Sequence, residues 1–101
     1  MYLVHACLRG PSGAELPTDA AALVRSCAHA TDQLEHVVAH PRARPHPVLG
    51  LFVVADGLGQ AEARAWAVCR RALAERAALA GWELVEAQVP LIAPLFERLL
   101  A

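Results

Sequence analysis

Several features that would point directly to a function are missing from this sequence. It contains no lysine, a single methionine, and no apolar run near the ~20 residues that a membrane-spanning helix needs. Its nine basic residues, all arginine, are balanced by ten acidic residues, which leaves a net charge of −1. That balance excludes the strongly basic surface of a nucleic-acid-binding domain. We therefore expect neither nucleic acid nor a membrane among its partners.

Cysteine is also scarce, and its pattern carries no disulfide framework. Cys7, Cys27 and Cys69 are widely spaced and lie among apolar neighbours. An odd number without a C-x-x-C pair favours reduced, mostly buried thiols. Such thiols are typical of cytoplasmic proteins. The first residues lack the basic stretch and apolar core of a signal peptide, so we expect a cytoplasmic location.

No spacing of histidines and cysteines predicts a metal centre. His36 and His40 lie four residues apart on a predicted strand, which separates them by ~13 Å. Zinc binds nitrogen ligands at ~2.0–2.1 Å, so the two side chains cannot share one ion on a straight strand. The turn D-G-L-G-Q at residues 56–60 lacks the further glycines and the lysine of a nucleotide-binding loop. We expect neither a bound metal nor a cofactor.

The chain is organised around residues 48–55, V-L-G-L-F-V-V-A, which contain no polar side chain. Their Val and Phe content and the flanking Pro47 predict a strand rather than a helix. A strand without alternating polar residues is covered on both faces. We expect helices on one face, and the C-terminal segment, a ligand or a second copy of the chain on the other. We place Leu51 on the outward side.

Three further strands and two helices follow from periodicity. The strands are predicted at residues 2–9, 34–39 and 82–89, and the helices from about 18 to 29 and from about 60 to 79, with Thr18 as the N-cap of the first. Arg71 is assigned to the solvated helix face, where Glu75 lies at i,i+4. Residues 40–47, with three prolines, predict an irregular hairpin loop. The apolar residues 91–101 predict a short helical tail.

The element order βαββαβ resembles the ferredoxin-like fold family and, more loosely, the dimeric α+β barrel proteins, in which two such sheets pack face to face. The resemblance implies an α+β sandwich formed by one domain over residues 1–101. It has a four-stranded antiparallel sheet, with the first and third strands central, and two helices on one face. Both groups include regulators, monooxygenases, isomerases and passive binders, so the fold alone selects no function.

The sheet face away from the helices is predicted to carry the site. Alternation places His5 and Glu86 there, on neighbouring strands whose facing Cβ atoms are ~5 Å apart. We predict that they form a hydrogen-bonded catalytic pair with His5 as general base. A structural pair, a histidine satisfied by an adjacent carboxylate, is the alternative. Four more residues are assigned to ligand binding: Cys7, His36, Leu84 and Gln88.

Three classes of function are consistent with these features. The first is a dimer that binds a small apolar molecule, or a cofactor-free tailoring enzyme of secondary metabolism. The second is a non-enzymatic accessory protein that docks on a partner through its apolar sheet face or C-terminal tail. The third is a small-molecule sensor of the ferredoxin-like regulatory type. We expect a homo-oligomer in each case, because both faces of the central strand are apolar.

Overall fold

The computed structural model describes residues 1–90, and the predicted tail at 91–101 lies outside the described residues. Four strands and two α-helices follow one another in the order βαββαβ. The strands are β1 (Tyr2–Arg9), β2 (Leu34–His40), β3 (Val48–Val53) and β4 (Glu83–Gln88). The helices are α1 (Ala20–Ser26) and α2 (Leu58–Glu75), and short 3₁₀ turns follow each of them at Ala30–Asp32 and Ala77–Leu79. The α+β class and the antiparallel four-stranded sheet are confirmed.

The strands lie in the order β2-β3-β1-β4, and every neighbouring pair is antiparallel. The two central strands are therefore β1 and β3, which are also the strands with the most apolar sequences. A central strand has a neighbour on each side, so its backbone groups are satisfied without water. The apolar character of β3 agrees with this position.

Both helices pack on one face of the sheet. Alternate residues of β1, namely Val4, Ala6 and Leu8, are fully buried there. The corresponding residues of β3 are Leu49, Leu51 and Val53, all at most 1% exposed. Burying a side chain of this kind contributes about 1.5–3 kcal/mol. The helices contribute the same kind of apolar stripe: Ala20 and Val24 from α1, and Ala61, Ala65, Val68 and Ala72 from α2.

Leu51 belongs to this core, so its predicted position on the outward side of β3 was wrong. It lies opposite Val4, which points to the helices. The outward residues of β3 are Val48, Gly50 and Phe52. The continuous apolar sequence could not distinguish the two faces, because it has no polar residue to mark one of them.

The helix ends differ from the predicted ones. Helix α1 begins at Ala20 with Asp19 as its N-cap, not Thr18, and no side chain caps it. It ends at Ser26, because the N–H groups of Cys27 and Ala28 bond three residues back instead of four. Helix α2 begins two residues earlier than predicted, at Leu58. It ends at Glu75, because Arg76 adopts an extended backbone.

Two irregularities in the edge strands change which residues share a face. In β4, Glu86 lies opposite Cys7 and Leu84 lies opposite Leu8, so Val85 is an extra residue. This bulge turns Leu84 towards the helices, where it packs against the core. In β2, a similar register shift between Leu34 and His36 places these two residues on opposite faces of the sheet.

Arg71 does not lie on the solvated helix face as predicted. Its Nη1 donates to Asp32 Oδ2 at 2.9 Å and to the Cys27 carbonyl oxygen at 2.8 Å. The backbone N–H of His29 donates to the same carboxylate oxygen at 2.6 Å. Asp32 is only 7% exposed. These bonds connect α2 to the segment that leads from α1 into β2.

Candidate functional site

The face of the sheet away from the helices, here called the open face, carries every described candidate except Leu84. Strand β1 places Leu3, His5 and Cys7 on it, because these residues alternate with the buried Val4, Ala6 and Leu8. Their neighbours on β3 are Phe52, Gly50 and Val48, in that order. Strand β2 adds His36, Val38 and His40. Most of these apolar side chains are half-buried.

Gly50 lies at the centre of the open face and separates two histidines. His5 of β1 is its direct partner on one side, and His40 of β2 lies diagonally across it on the other. The two imidazole rings are 6.3 Å apart between centroids and meet edge to face at 66°. A Cβ atom on Gly50 would lie 3.3 Å from Leu3 Cδ1 and 3.9 Å from His40 Nε2. A glycine in this strand therefore keeps the space between the rings open.

A groove of about 660 Å³ runs beside this pair. His5 and Val48 contribute one side of it. The other side is formed by the end of β2 and the turn that follows, residues 39–43. The lining is mostly apolar, and the groove is open to solvent along its length. Its polar side chains are His5, His40 and Arg42.

The electrostatic setting of His5 differs from that of a surface histidine. Burial lowers the pKa of His5 below its ordinary value, and the positive charge of a protonated His40 lowers it further. Near neutral pH, His5 is therefore an uncharged imidazole that can accept a proton. This is the state that a general base requires.

A smaller depression of about 270 Å³ adjoins the groove and shares His5 and Val48 with it. Glu86 is its charged residue. Cys7 Sγ lies 3.6 Å from Glu86 Oε1, and Gln88 Nε2 donates to Glu86 Oε2 at 2.7 Å. Burial raises the pKa of the Cys7 thiol, and the hydrogen bond to Glu86 and its negative charge raise it further. Cys7 is thus a protonated thiol, not a nucleophile.

The structure brings His5 and Glu86 to the same face and the same depression, but does not place them opposite each other. The cross-strand partner of His5 is Gln88, and the partner of Glu86 is Cys7. The carboxylate of Glu86 is hydrogen-bonded to Cys7 and Gln88. The register therefore differs by two residues from the register that places His5 opposite Glu86.

The other predicted ligand-binding residues have different positions. Gln88 and Cys7 line the depression together with Glu86. His36 lies on the open face near the sheet edge, beside Phe52 with ring centroids 6.0 Å apart, and its Nδ1 is 3.4 Å from Arg25 Nη1. The placement of Leu84 on this face was wrong, because the bulge at Val85 turns it to the helix side.

Sequence reasoning missed His40, Arg42 and Gly50 as parts of the site. His40 was considered only as a metal ligand. Arg42 was assigned with Arg44 to a solvated turn of the proline-rich loop, in preference to an anion clamp. The available signal was Gly50, since a glycine inside a strand marks a close approach of another group. Only the pairing of β2 with β3 shows that this group is His40.

Residues 1–90 contain no cluster of three histidine, cysteine or acidic side chains that could hold a metal ion. None of the helices in that part of the chain is both long and apolar enough to cross a membrane. No family model, curated protein or solved structure matches the chain.

Proposed function

We propose that this chain is a ferredoxin-like domain that acts as a homodimer and binds a small apolar molecule on its open face. The order of its helices and strands, and the strand order β2-β3-β1-β4, support the fold assignment. The observation that carries the function is the groove beside His5 and His40. Its volume of about 660 Å³ lies within the ~300–1,000 Å³ of small-molecule sites.

The dimer part of the proposal follows from the open face. Leu3, Val48 and Phe52 are half-buried apolar side chains on the two central strands. Leu3 lies opposite Phe52, and Val48 lies beyond the His5–Gly50 pair. A second sheet packed on these side chains would remove them from water and would close the groove. The dimeric α+β barrel proteins that the chain resembles pack two sheets in this way.

As an enzyme, this protein would be a cofactor-free tailoring enzyme of secondary metabolism. His5 is the candidate general base, because it borders the groove and has a lowered pKa. The Glu86 carboxylate would contact the ligand from the adjoining depression. Its hydrogen bonds with Cys7 and Gln88 fix the orientation of this carboxylate. In this arrangement Glu86 is a second polar contact and does not orient the imidazole.

The binding function is tested with N-phenyl-1-naphthylamine, a neutral dye that fluoresces in apolar sites. We expect saturable fluorescence with the wild-type protein. Gly50→Val fills the space between the two imidazoles and should abolish the signal. Ala43→Trp fills the groove from its other wall, and is a second test if the valine side chain at the glycine position prevents folding. Ala67→Trp, on the exposed surface of α2, is the matched control and should bind the dye normally.

Two results would contradict the binding proposal. One is a wild-type protein that folds but gives no saturable fluorescence. The other is a dye signal that persists when both Gly50→Val and Ala43→Trp are folded by circular dichroism. In the second case the dye binds elsewhere on the protein, and the groove has no ligand-binding role.

A second candidate is an accessory protein that docks on a partner through the open face. The groove is open along its length, which favours an extended surface contact as well as a small ligand. This function predicts that Phe52→Asp abolishes complex formation in a cell extract while the dye fails to bind the wild type. A dye-binding protein that recovers no partner from its native extract would exclude it.

A further inference from the structure

None of the polar side chains that line the groove is acidic. Arg42 carries a positive charge, and His5 and His40 can each donate a hydrogen bond from a ring N–H group. The rest of the lining is apolar: Ala39, Pro41, Ala43 and Val48. The groove therefore combines an apolar lining with one guanidinium and two imidazole donors.

The carboxylates of Glu86 and Glu15 lie in neighbouring depressions and do not line this groove. Glu86 lies in the adjoining depression and is hydrogen-bonded to Cys7 and Gln88. Glu15 lines depressions on the far side of the turn together with Arg42, and no ion pair within 4.0 Å joins them. In the described part of the chain, the two ion pairs are Arg9–Glu83 and Arg71–Asp32. Arg42 thus forms no ion pair within 4.0 Å in residues 1–90.

We propose that the molecule bound in the groove is a small apolar carboxylic acid, with its carboxylate at Arg42 and His40 and its apolar body along Val48. This inference rests on the proposed binding function and names the class of ligand. A guanidinium binds carboxylates through two parallel N–H···O bonds, and hydrogen bonds of this charge-assisted kind are stronger than neutral ones. In the proposed dimer, where a second sheet closes the groove, a neutral apolar molecule would leave these donors without an acceptor, which is unfavourable.

The polar side chains that line the groove favour an acidic ligand over a basic one. An amine would meet the positive charge of Arg42, and like charges repel. A ligand with a hydroxyl alone would use one donor and leave the guanidinium unpaired. A planar carboxylate can accept from the guanidinium and from one imidazole at once. Gly50 leaves room for the carboxylate to approach between the rings.

The inference is tested with a matched pair of probes, 2-naphthoate and 2-naphthamide, which share one ring system and differ in charge. Isothermal titration at pH 7 should show the acid binding at least about tenfold more tightly than the amide, since a charge-assisted hydrogen bond contributes that much. Arg42→Gln should remove this preference and leave the affinity for the amide unchanged. His40→Gln should also reduce the preference for the acid over the amide.

Arg44→Gln is the matched control, because Arg44 lies in the same turn but does not line the groove. It should leave the affinities for both probes unchanged. An equal loss of naphthoate affinity in Arg44→Gln and Arg42→Gln would overturn the inference, because the preference would then reflect only the charge of the loop. Amide chemical-shift changes from naphthoate should centre on His5, Gly50 and His40, and a map centred on α1 would also overturn it.

The two proposals fail in different ways in this experiment. If naphthoate and naphthamide bind in the groove with equal affinity, the acid preference is wrong and the binding function stands. If neither probe binds the folded wild-type protein, and the neutral dye does not bind either, both proposals are wrong. Tight binding of the acid alone, lost in Arg42→Gln, supports both.

Discussion

Asp32 is the one charged side chain that is buried within residues 1–90. Burial alone would raise the pKa of its carboxyl, but the hydrogen bonds from Arg71 and from the His29 N–H outweigh this effect and lower it. The ionised carboxylate therefore stabilises the native state. A stabilising carboxylate of this kind contributes above its unfolded pKa, and the contribution is lost as the pH falls through the lower folded pKa.

We predict that Asp32→Asn lowers the free energy of unfolding at pH 7 by about 2 kcal/mol, because Arg71 loses its charged partner. The difference from the wild type should shrink below pH 4, where the carboxyl takes up a proton. Urea unfolding at pH 7 and at acidic pH measures both effects. Asp19→Asn is the control, since Asp19 is exposed and its side chain caps no backbone group. A pH-independent difference would contradict this account.

In the candidate site, the lowered pKa of His5 also makes stability depend on pH. The groups that face it are His40 from β2, Glu86 and Gln88 from β4, and Cys7 from its own strand. Its folded pKa is below 6.5 because of burial first and His40 second. The unfolded chain therefore binds a proton at His5 more readily. Native stability should fall as the pH drops from 6.5 to the folded pKa of this residue.

We predict that His40→Gln raises the pKa of His5 without restoring 6.5, because burial remains the larger cause. A two-dimensional NMR titration of the imidazole signals measures the shift directly. His36→Gln, on the same open face but beside Phe52, is the control and should not change it. A wild-type His5 that titrates at or above 6.5 would show that the two imidazoles do not interact in this way.

At the scale of strands and helices, the sequence predicted which elements form, but it did not always predict which residues lie on each face of the sheet. The bounds of β1 and the buried alternation of Val4, Ala6 and Leu8 were predicted correctly, because polar and apolar residues alternate there. The order of elements followed from the prolines and glycines that separate them. Helical spacing correctly predicted the buried alanine and valine residues of α2. The same spacing predicted Leu58 and Trp66 as part of the buried stripe, but they are 50% and 39% exposed.

The bulge at Val85 could not be predicted in the same way. A strict period of two residues places Leu84 with Glu86, and one inserted residue reverses that assignment. Nothing in the stretch E-L-V-E-A-Q marks the insertion. The His5–Glu86 pair failed as a direct bond for a related reason, since the register between two strands depends on contacts distant in sequence. Gly50 was visible in the sequence, but its neighbour His40 is fixed by the β2–β3 pairing.

At the scale of the whole molecule, the remaining question is what covers the open face. The two central strands carry the half-buried apolar side chains of the face, on either side of the His5–Gly50 pair, and the edge strands carry His36, Glu86 and Gln88. A polar edge around an apolar centre is the general arrangement of protein–protein interfaces. The same face contains the groove, so a second copy would determine both the oligomeric state and the enclosure of the ligand.

We therefore predict a dimer, with a mass of twice 10.8 kDa by light scattering at micromolar concentration. Phe52→Asp, on the outward side of β3, should give the monomer mass with an unchanged circular dichroism spectrum, because it places a charge at the centre of the interface. Val38→Asp, at the neighbouring edge strand, is a second variant if the first does not fold. Trp66→Asp is the matched control, since this side chain is 39% exposed on α2 and should leave the dimer intact. A wild-type monomer, or dissociation by Trp66→Asp but not by Phe52→Asp, would place the interface elsewhere or exclude it.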